Sequence, residues 1–206
     1  KLVKLRKEGT IKSLHIISDE PWIPWEMVKP VDLDERVADA YLAQGWQVSR
    51  WLAGPGQADR LRIGEARLVA PNTDLEFVQR EVQFFAGLSG RSVAVDEPVR
   101  RLAQVREIGR QGVELLHFST HGRVNSQSID SSSILLEDNA ELRPIDLLGE
   151  AVMGLRRRRP LVFMNTCHGA RMGFSLAGLG GWATQMINQV KAGVFIGALW
   201  EVNDIL

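Results

Sequence analysis

Short runs of β-branched and apolar residues alternate along this chain with longer stretches whose apolar positions recur every three to four residues. The short runs predict strands at Leu14 to Ile17, Trp46 to Trp51, Ala66 to Val69, Val113 to Ser119, Ile134 to Leu136, Leu161 to Thr166 and Val194 to Ala198. Strands interleaved with helical periodicity indicate a largely parallel sheet covered by helices on both faces, because each parallel crossover has to bring the chain back over the sheet. The expected fold is α/β, a three-layer α/β/α sandwich with a mainly parallel central sheet.

Three helices follow from the same pattern. Thr73 and Glu76 form a T-x-x-E capping box ahead of Leu75, Val78, Val82 and Phe85 on one face, and this helix should stop near Gly87 to Gly90. Pro98 suits the first turn of a second helix reaching about Gly109. Leu176, Leu179, Ala183, Met186, Ile187 and Val190 carry the spacing of a third, and these positions read as core. Between elements, Leu52 to Gly64 is a Gly- and Pro-rich loop without G-x-G-x-x-G or a Lys-Ser/Thr pair, which argues against a nucleotide site. Arg123 to Ser133 is a second loop with five serines, placed either to border a groove or to remain mobile.

Two strands end in residues that can do chemistry. HFSTHG (117–122) sets His121 and Gly122 beyond one strand, and VFMNTCHG (162–169) sets Cys167 beyond another. In open α/β sheets, sites form past the carboxyl ends of the strands, where turn amides are unpaired. A cysteine hydrolase needs a thiolate, an imidazole to take and return its proton, and amide donors for the oxyanion. His121 and Cys167 supply the first two, and the N–H groups of Gly122 and Cys167 are the candidate oxyanion hole. The residue types alone leave open a plainer reading, a buried and inert cysteine. Metal binding has little support: on a strand His117 and His121 stand on the order of 13 Å apart, and no H-E-x-x-H helix is present. His15, His117 and His168 read as packing or hydrogen-bonding residues, and neither a metal nor another cofactor is expected.

Composition narrows the setting. The 206 residues are 45% hydrophobic, enough for one domain, alone or with an attached segment. Lys+Arg and Asp+Glu balance at 25 each, so no net field draws nucleic acid or an acidic membrane. The basic cluster Arg156 to Arg159 reads as a solvated helix end or loop. No uncharged apolar run approaches the roughly 20 residues a membrane span requires. Cys167 has no cysteine partner within the chain, which makes a reducing compartment, the cytoplasm, the expected location.

These motifs together resemble the CHAT domain, the caspase-like module that accompanies tetratricopeptide repeats, in the clan of caspases, gingipains and separases. LLHFSTHG (115–122) resembles its histidine motif, SSILLEDNAEL (132–142) the strand and turn that follow, VFMNTCHGA (162–170) its cysteine motif and GALWEVND (197–204) its late tryptophan motif. SLHIISDEPWIPWEMV (13–28) resembles its first strand and turn, and the His-to-Cys gap, 167 − 121 = 46, fits. The resemblance spans nearly the whole chain. It implies a caspase-like fold over 1–206 as a single domain of a longer protein, and a prokaryotic cysteine endopeptidase with Cys167 as nucleophile and His121 as general acid/base. No third catalytic side chain is implied. It further implies a protein or peptide substrate, a regulatory module such as TPR repeats in the same or a partner chain, and a substrate pocket in which Asp204 faces a basic side chain and Trp200 forms a wall. An inactive caspase-like scaffold and a small-molecule acyl-transfer enzyme remain the other classes open to this sequence.

Overall fold

The computed structural model describes residues 2–199 and 201 apart from 19, 21, 22, 33–36, 53–57, 59, 90, 125–130, 168, 170–172, 176 and 177, and describes no side chain at 32, 37, 173–175, 178 or 179. Two compact units divide the chain, Lys1–Gly54 and Pro55–Leu206.

In the first unit, β1 (Ser13–Ile17) and β2 (Gln47–Trp51) pair in parallel, Ser13 opposite Gln47 through Ile17 opposite Trp51. Val3, Leu42, Trp46 and Trp51 are buried. The Arg6 guanidinium packs over the Trp46 ring at 5.9 Å and donates to Asp39 from Nε at 2.8 Å. His15 shares a 2.9 Å hydrogen bond with Ser49 of the neighbouring strand, in keeping with a hydrogen-bonding role.

The second unit is built on a five-stranded, wholly parallel sheet. Its strands are β3 (Glu65–Val69), β4 (Ala94–Val95), β5 (Leu115–Ser119), β9 (Leu161–Asn165) and β10 (Val194–Gly197), in the order β10-β9-β5-β3-β4. Alternation along β5 and β9 sorts side chains onto two faces. Leu116, Phe118, Val162 and Met164 join Val105 and Ile108 of helix α2 (Leu102–Gln111) and Leu155 of α3 (Met153–Arg158) in one core, completed by Trp182, Met186 and Val190. Helix α1 (Val78–Leu88) covers the opposite face, burying Val78 and Phe85 against Ala66 and Leu68. Strands that follow one another along this sheet's sequence are thus joined by helix-bearing connections, as the hydrophobic pattern predicts.

Three short antiparallel strands stand apart from that sheet in the order β8-β7-β6: β6 (Gly122–Arg123), β7 (Ser133–Leu135) and β8 (Glu141–Leu142). The predicted strand Ile134 to Leu136 therefore forms in this ribbon and not in the central sheet.

The helix starts depart from expectation. Helix α1 begins at Val78, not Thr73; the Thr73 hydroxyl accepts the Leu75 N–H two residues on, at 3.4 Å, closing a local turn. The second helix begins at Leu102, because Val99 continues as extended chain beside β3, donating to Leu68 O at 2.8 Å while its carbonyl accepts Ala70 N–H at 2.9 Å. The third runs over Trp182–Thr184 and widens over Gln185–Gln189, while Gly178–Gly180 is paired as strand with Gly173–Ser175. The glycine-rich GLGG segment disfavours the helical turn that the leucine spacing suggests. Arg156 to Arg158 occupy the last turn of α3, where Arg158 pairs with Glu114 at 2.8 Å and the Arg156 Nε donates to Gln189 O at 2.6 Å. Among the described residues no helix is long and apolar enough to cross a membrane. Most of the loop Leu52 to Gly64 and the centre of Arg123 to Ser133 lie in stretches containing residues outside the description.

Candidate active site

Strand register explains the spacing of the two candidate residues, His121 and Cys167. β5 and β9 pair from Leu115 opposite Leu161 to Ser119 opposite Asn165, an offset of 161 − 115 = 46 that equals the separation of His121 from Cys167. Both residues lie two positions past the last paired rung, on neighbouring strands whose spacing is about 4.8 Å. Buried Thr120 and Thr166 intervene. Periodicity located both strands, and the register aligns their ends.

The chain turns sharply at both ends. After β5, the Thr120 hydroxyl donates to Leu135 O at 2.7 Å and the His121 carbonyl accepts Leu135 N–H at 3.0 Å, so β7 holds both the threonine side chain before the histidine and the histidine's own carbonyl. Gly122 then stands opposite Ile134. Because Leu135 N–H goes to His121, Gly122 and Ile134 form a non-hydrogen-bonded antiparallel pair, which leaves the Gly122 N–H outside that ladder. A side chain at 122 would run into the Cys167 carbonyl oxygen and stand 3.3 Å from the Cys167 N and C atoms. Only glycine lets the two turns approach this closely. After β9, the Gly169 N–H donates to Thr166 O at 3.2 Å, and a Cβ at 169 would sit 2.9 Å from Thr166 Oγ1 and 3.0 Å from Met164 O. The cysteine turn is folded back tightly on its own strand. Cys167 itself is half-buried.

His121 has a partner that the motifs did not indicate. Its Nε2 lies 2.6 Å from Asp74 Oδ1, on the segment that leads into α1. The hydrogen bond from His121 holds the Asp74 carboxyl below the usual carboxylate range, helped by a bond from its own backbone N–H and by attraction to the imidazole. An ionised carboxylate only accepts, so Nε2 carries the proton and Nδ1 is left as the nitrogen able to receive one. The one available signal was an acid in a turn, a frequent feature; its contact with a histidine 47 positions away is tertiary.

A second carboxylate lies one layer below. Glu81 of α1 meets His117 Nε2 at 2.8 Å through Oε2 and accepts from Asn165 Nδ2 at 2.5 Å through Oε1. Burial works against its ionisation, yet hydrogen bonds from His117, Ser119 and Asn165, with the nearby His117 ring, outweigh burial and hold it below the usual carboxylate range. His117 and Ser119 are buried. The His117 ring also contacts Phe85 and Phe163, with centroids at 5.1 and 4.8 Å. It is thus both packed and hydrogen-bonded, the role expected of it.

The structure therefore brings His121, Gly122 and Cys167 together and adds Asp74 beside the histidine. Trp200, Asp204 and His168 lie outside the described residues. Among the described residues no group of three His, Cys, Asp or Glu side chains is placed to hold a metal ion.

A parallel sheet flanked by helices, with a histidine and a cysteine turning off adjacent strand ends, is the arrangement of a caspase-like α/β domain. The chain belongs to the CHAT domain family, whose model matches residues 5–206. That family is related to the caspase-like cysteine peptidases. No curated protein matches the chain.

Proposed function

We propose that this protein is a cysteine endopeptidase in which Cys167 is the nucleophile and His121 the general acid and base. One observation carries the reading: the His121–Gly122 turn lies against the backbone of Cys167 so closely that no side chain fits at 122. Two reactive residues with unrelated structural roles would have no need of that contact.

The chemistry follows from the groups present. Asp74 fixes the tautomer in which His121 Nδ1 accepts the thiol proton. The thiolate attacks the peptide carbonyl carbon, and the developing oxyanion is met by the N–H groups of Gly122 and Cys167. The imidazolium then protonates the leaving amine as the C–N bond breaks. Water, deprotonated by His121, hydrolyses the thioester and regenerates the thiol. Asp204, by resemblance to separase-like relatives, is the residue proposed to pair with an arginine or lysine side chain before the cut, with Trp200 as a pocket wall. A fused or bound module, such as TPR repeats, is proposed to control access.

The test is a peptide mixture varied at the residue before the cut, incubated with the full chain as wild type, Cys167→Ala and Asp204→Ala, with products mapped by mass spectrometry. Wild-type cleavage after Arg or Lys that vanishes in Cys167→Ala and weakens in Asp204→Ala is the expected result. Cleavage that survives Cys167→Ala would sink the assignment, and cutting after other residues would remove the Asp204 pocket alone. Absence of cutting, with and without candidate activators, would favour an interaction module on the same fold.

A further inference from the structure

We infer that Glu81 is a positioning residue for the dyad, a carboxylate clamp that sets the distance between the His121 and Cys167 turns. The inference deepens the peptidase reading and rests on it. Its basis is where the three hydrogen-bond donors to this carboxylate sit. His117 and Ser119 belong to β5 and Asn165 to β9, and Ser119 opposite Asn165 is the last paired rung of the two strands. Beyond that rung each strand has one buried threonine and then its reactive residue. Glu81 therefore ties the two strands together two residues below the chemistry.

The same residue also fixes the other side of the histidine. Glu81 lies in the first turn of α1, and the segment entering that helix carries Asp74, whose Oδ1 is 2.6 Å from His121 Nε2. Segment 74–81 thus touches the site twice, at the imidazole and at the rung beneath it. A helix anchored only by Val78 and Phe85 could slide on an apolar face at small cost, since dispersion contacts are non-directional. An ionised carboxylate with hydrogen bonds from two strands has one favourable position, because charge-assisted bonds are short and directional. Fixing α1 there fixes Asp74, and with it the ring that must meet the thiol.

The charge of Glu81 is central to this role. Glutamine has the same shape, but its amide nitrogen cannot accept, so the three donors cannot all be satisfied by its single oxygen in the same geometry. The strand ends and α1 would then settle into a looser arrangement, and a displacement of about 1 Å at a reacting centre can cost on the order of a hundredfold in rate.

Alkylation of Cys167 by iodoacetamide across pH reads the dyad without any substrate, and is measured on the full chain as wild type and Glu81→Gln, with thermal unfolding recorded for both. The expected wild-type result is alkylation at neutral pH clearly faster than that of an ordinary free thiol. In Glu81→Gln that excess is lost, with alkylation at neutral pH slower by about tenfold, as a loosened geometry at a reacting centre produces. Should Glu81→Gln fail to fold, Asn165→Ala, which removes only the β9 donor, is read in the same way. A wild-type thiol that reacts as an ordinary free one overturns the dyad and this inference with it. An activated wild-type thiol whose profile is unchanged in the variant, even with a lowered melting temperature, overturns the positioning role and leaves the dyad standing.

Discussion

Gly122 and Asp74 bear most directly on the chemistry at the scale of single residues. Adding one carbon at Gly122 forces apart the two turns that carry His121 and Cys167, so Gly122→Ala is expected to lower stability by about 1–3 kcal/mol, the usual penalty of overpacking, and to lose nearly all cleavage. Urea unfolding and peptide turnover measured together check both parts. Asp74→Asn presents a different case, because the aspartate side chain is 89% exposed and its loss leaves no cavity. Stability should change little, while kcat/KM should fall by about one decade of the 10²–10⁴ that general acid–base catalysis contributes. The His-Gly and Cys-His-Gly motifs made the candidate pair His121 and Cys167, and its place past two strand ends, legible in the sequence because both follow apolar strands. Asp74 was not legible, since an acid ahead of a helix serves many ends and only the fold brings it within 2.6 Å of the imidazole.

Among the elements, α1 and the paired strands β5 and β9 position the site. The strands were readable from their β-branched runs, and the 46-residue spacing of the dyad turned out to be their register. The helix starts were less readable. Thr73 and Pro98 both suit a first helical turn, yet each lies in a segment recruited elsewhere, the first into a turn beside Asp74 and the second into extended chain along β3. The polar face between α1 and β5 gives a stability prediction. Glu81→Ala leaves the buried donors His117 and Ser119 and the half-buried Asn165 amide without their acceptor, at a cost of about 1–3 kcal/mol. Because the folded state lowers the Glu81 pKa, its contribution is fully present above the unfolded value of about 4.3 and is lost as pH falls through the lower folded value. Wild-type unfolding free energy should therefore fall with acid below about pH 4.3, and more steeply than that of Glu81→Gln. Parallel slopes in urea titrations at pH 5 and pH 3 would contradict this.

For the molecule as a whole, the α/β class and the parallel sheet were legible in the alternation of strand and helix patterns, and family membership over residues 5–206 agrees with them. Which strands share a sheet was not legible. β1 and β2 pair within the first unit, and β7 joins an antiparallel ribbon, because a run of apolar residues fixes burial but not its partner. Taken together, the aligned strand ends, the glycine contact and the acid-oriented imidazole support the proposed catalytic unit, in which the thiol is to depend on the histidine. The most direct measurement of that dependence treats the wild-type full chain and its His121→Ala variant with a peptide that carries an electrophilic ketone in place of the scissile carbonyl, and follows labelling by mass spectrometry. The expected result is stoichiometric modification at Cys167, slowed by about a hundredfold or more in His121→Ala. Equal labelling of the two proteins, or labelling only after unfolding, would contradict the account.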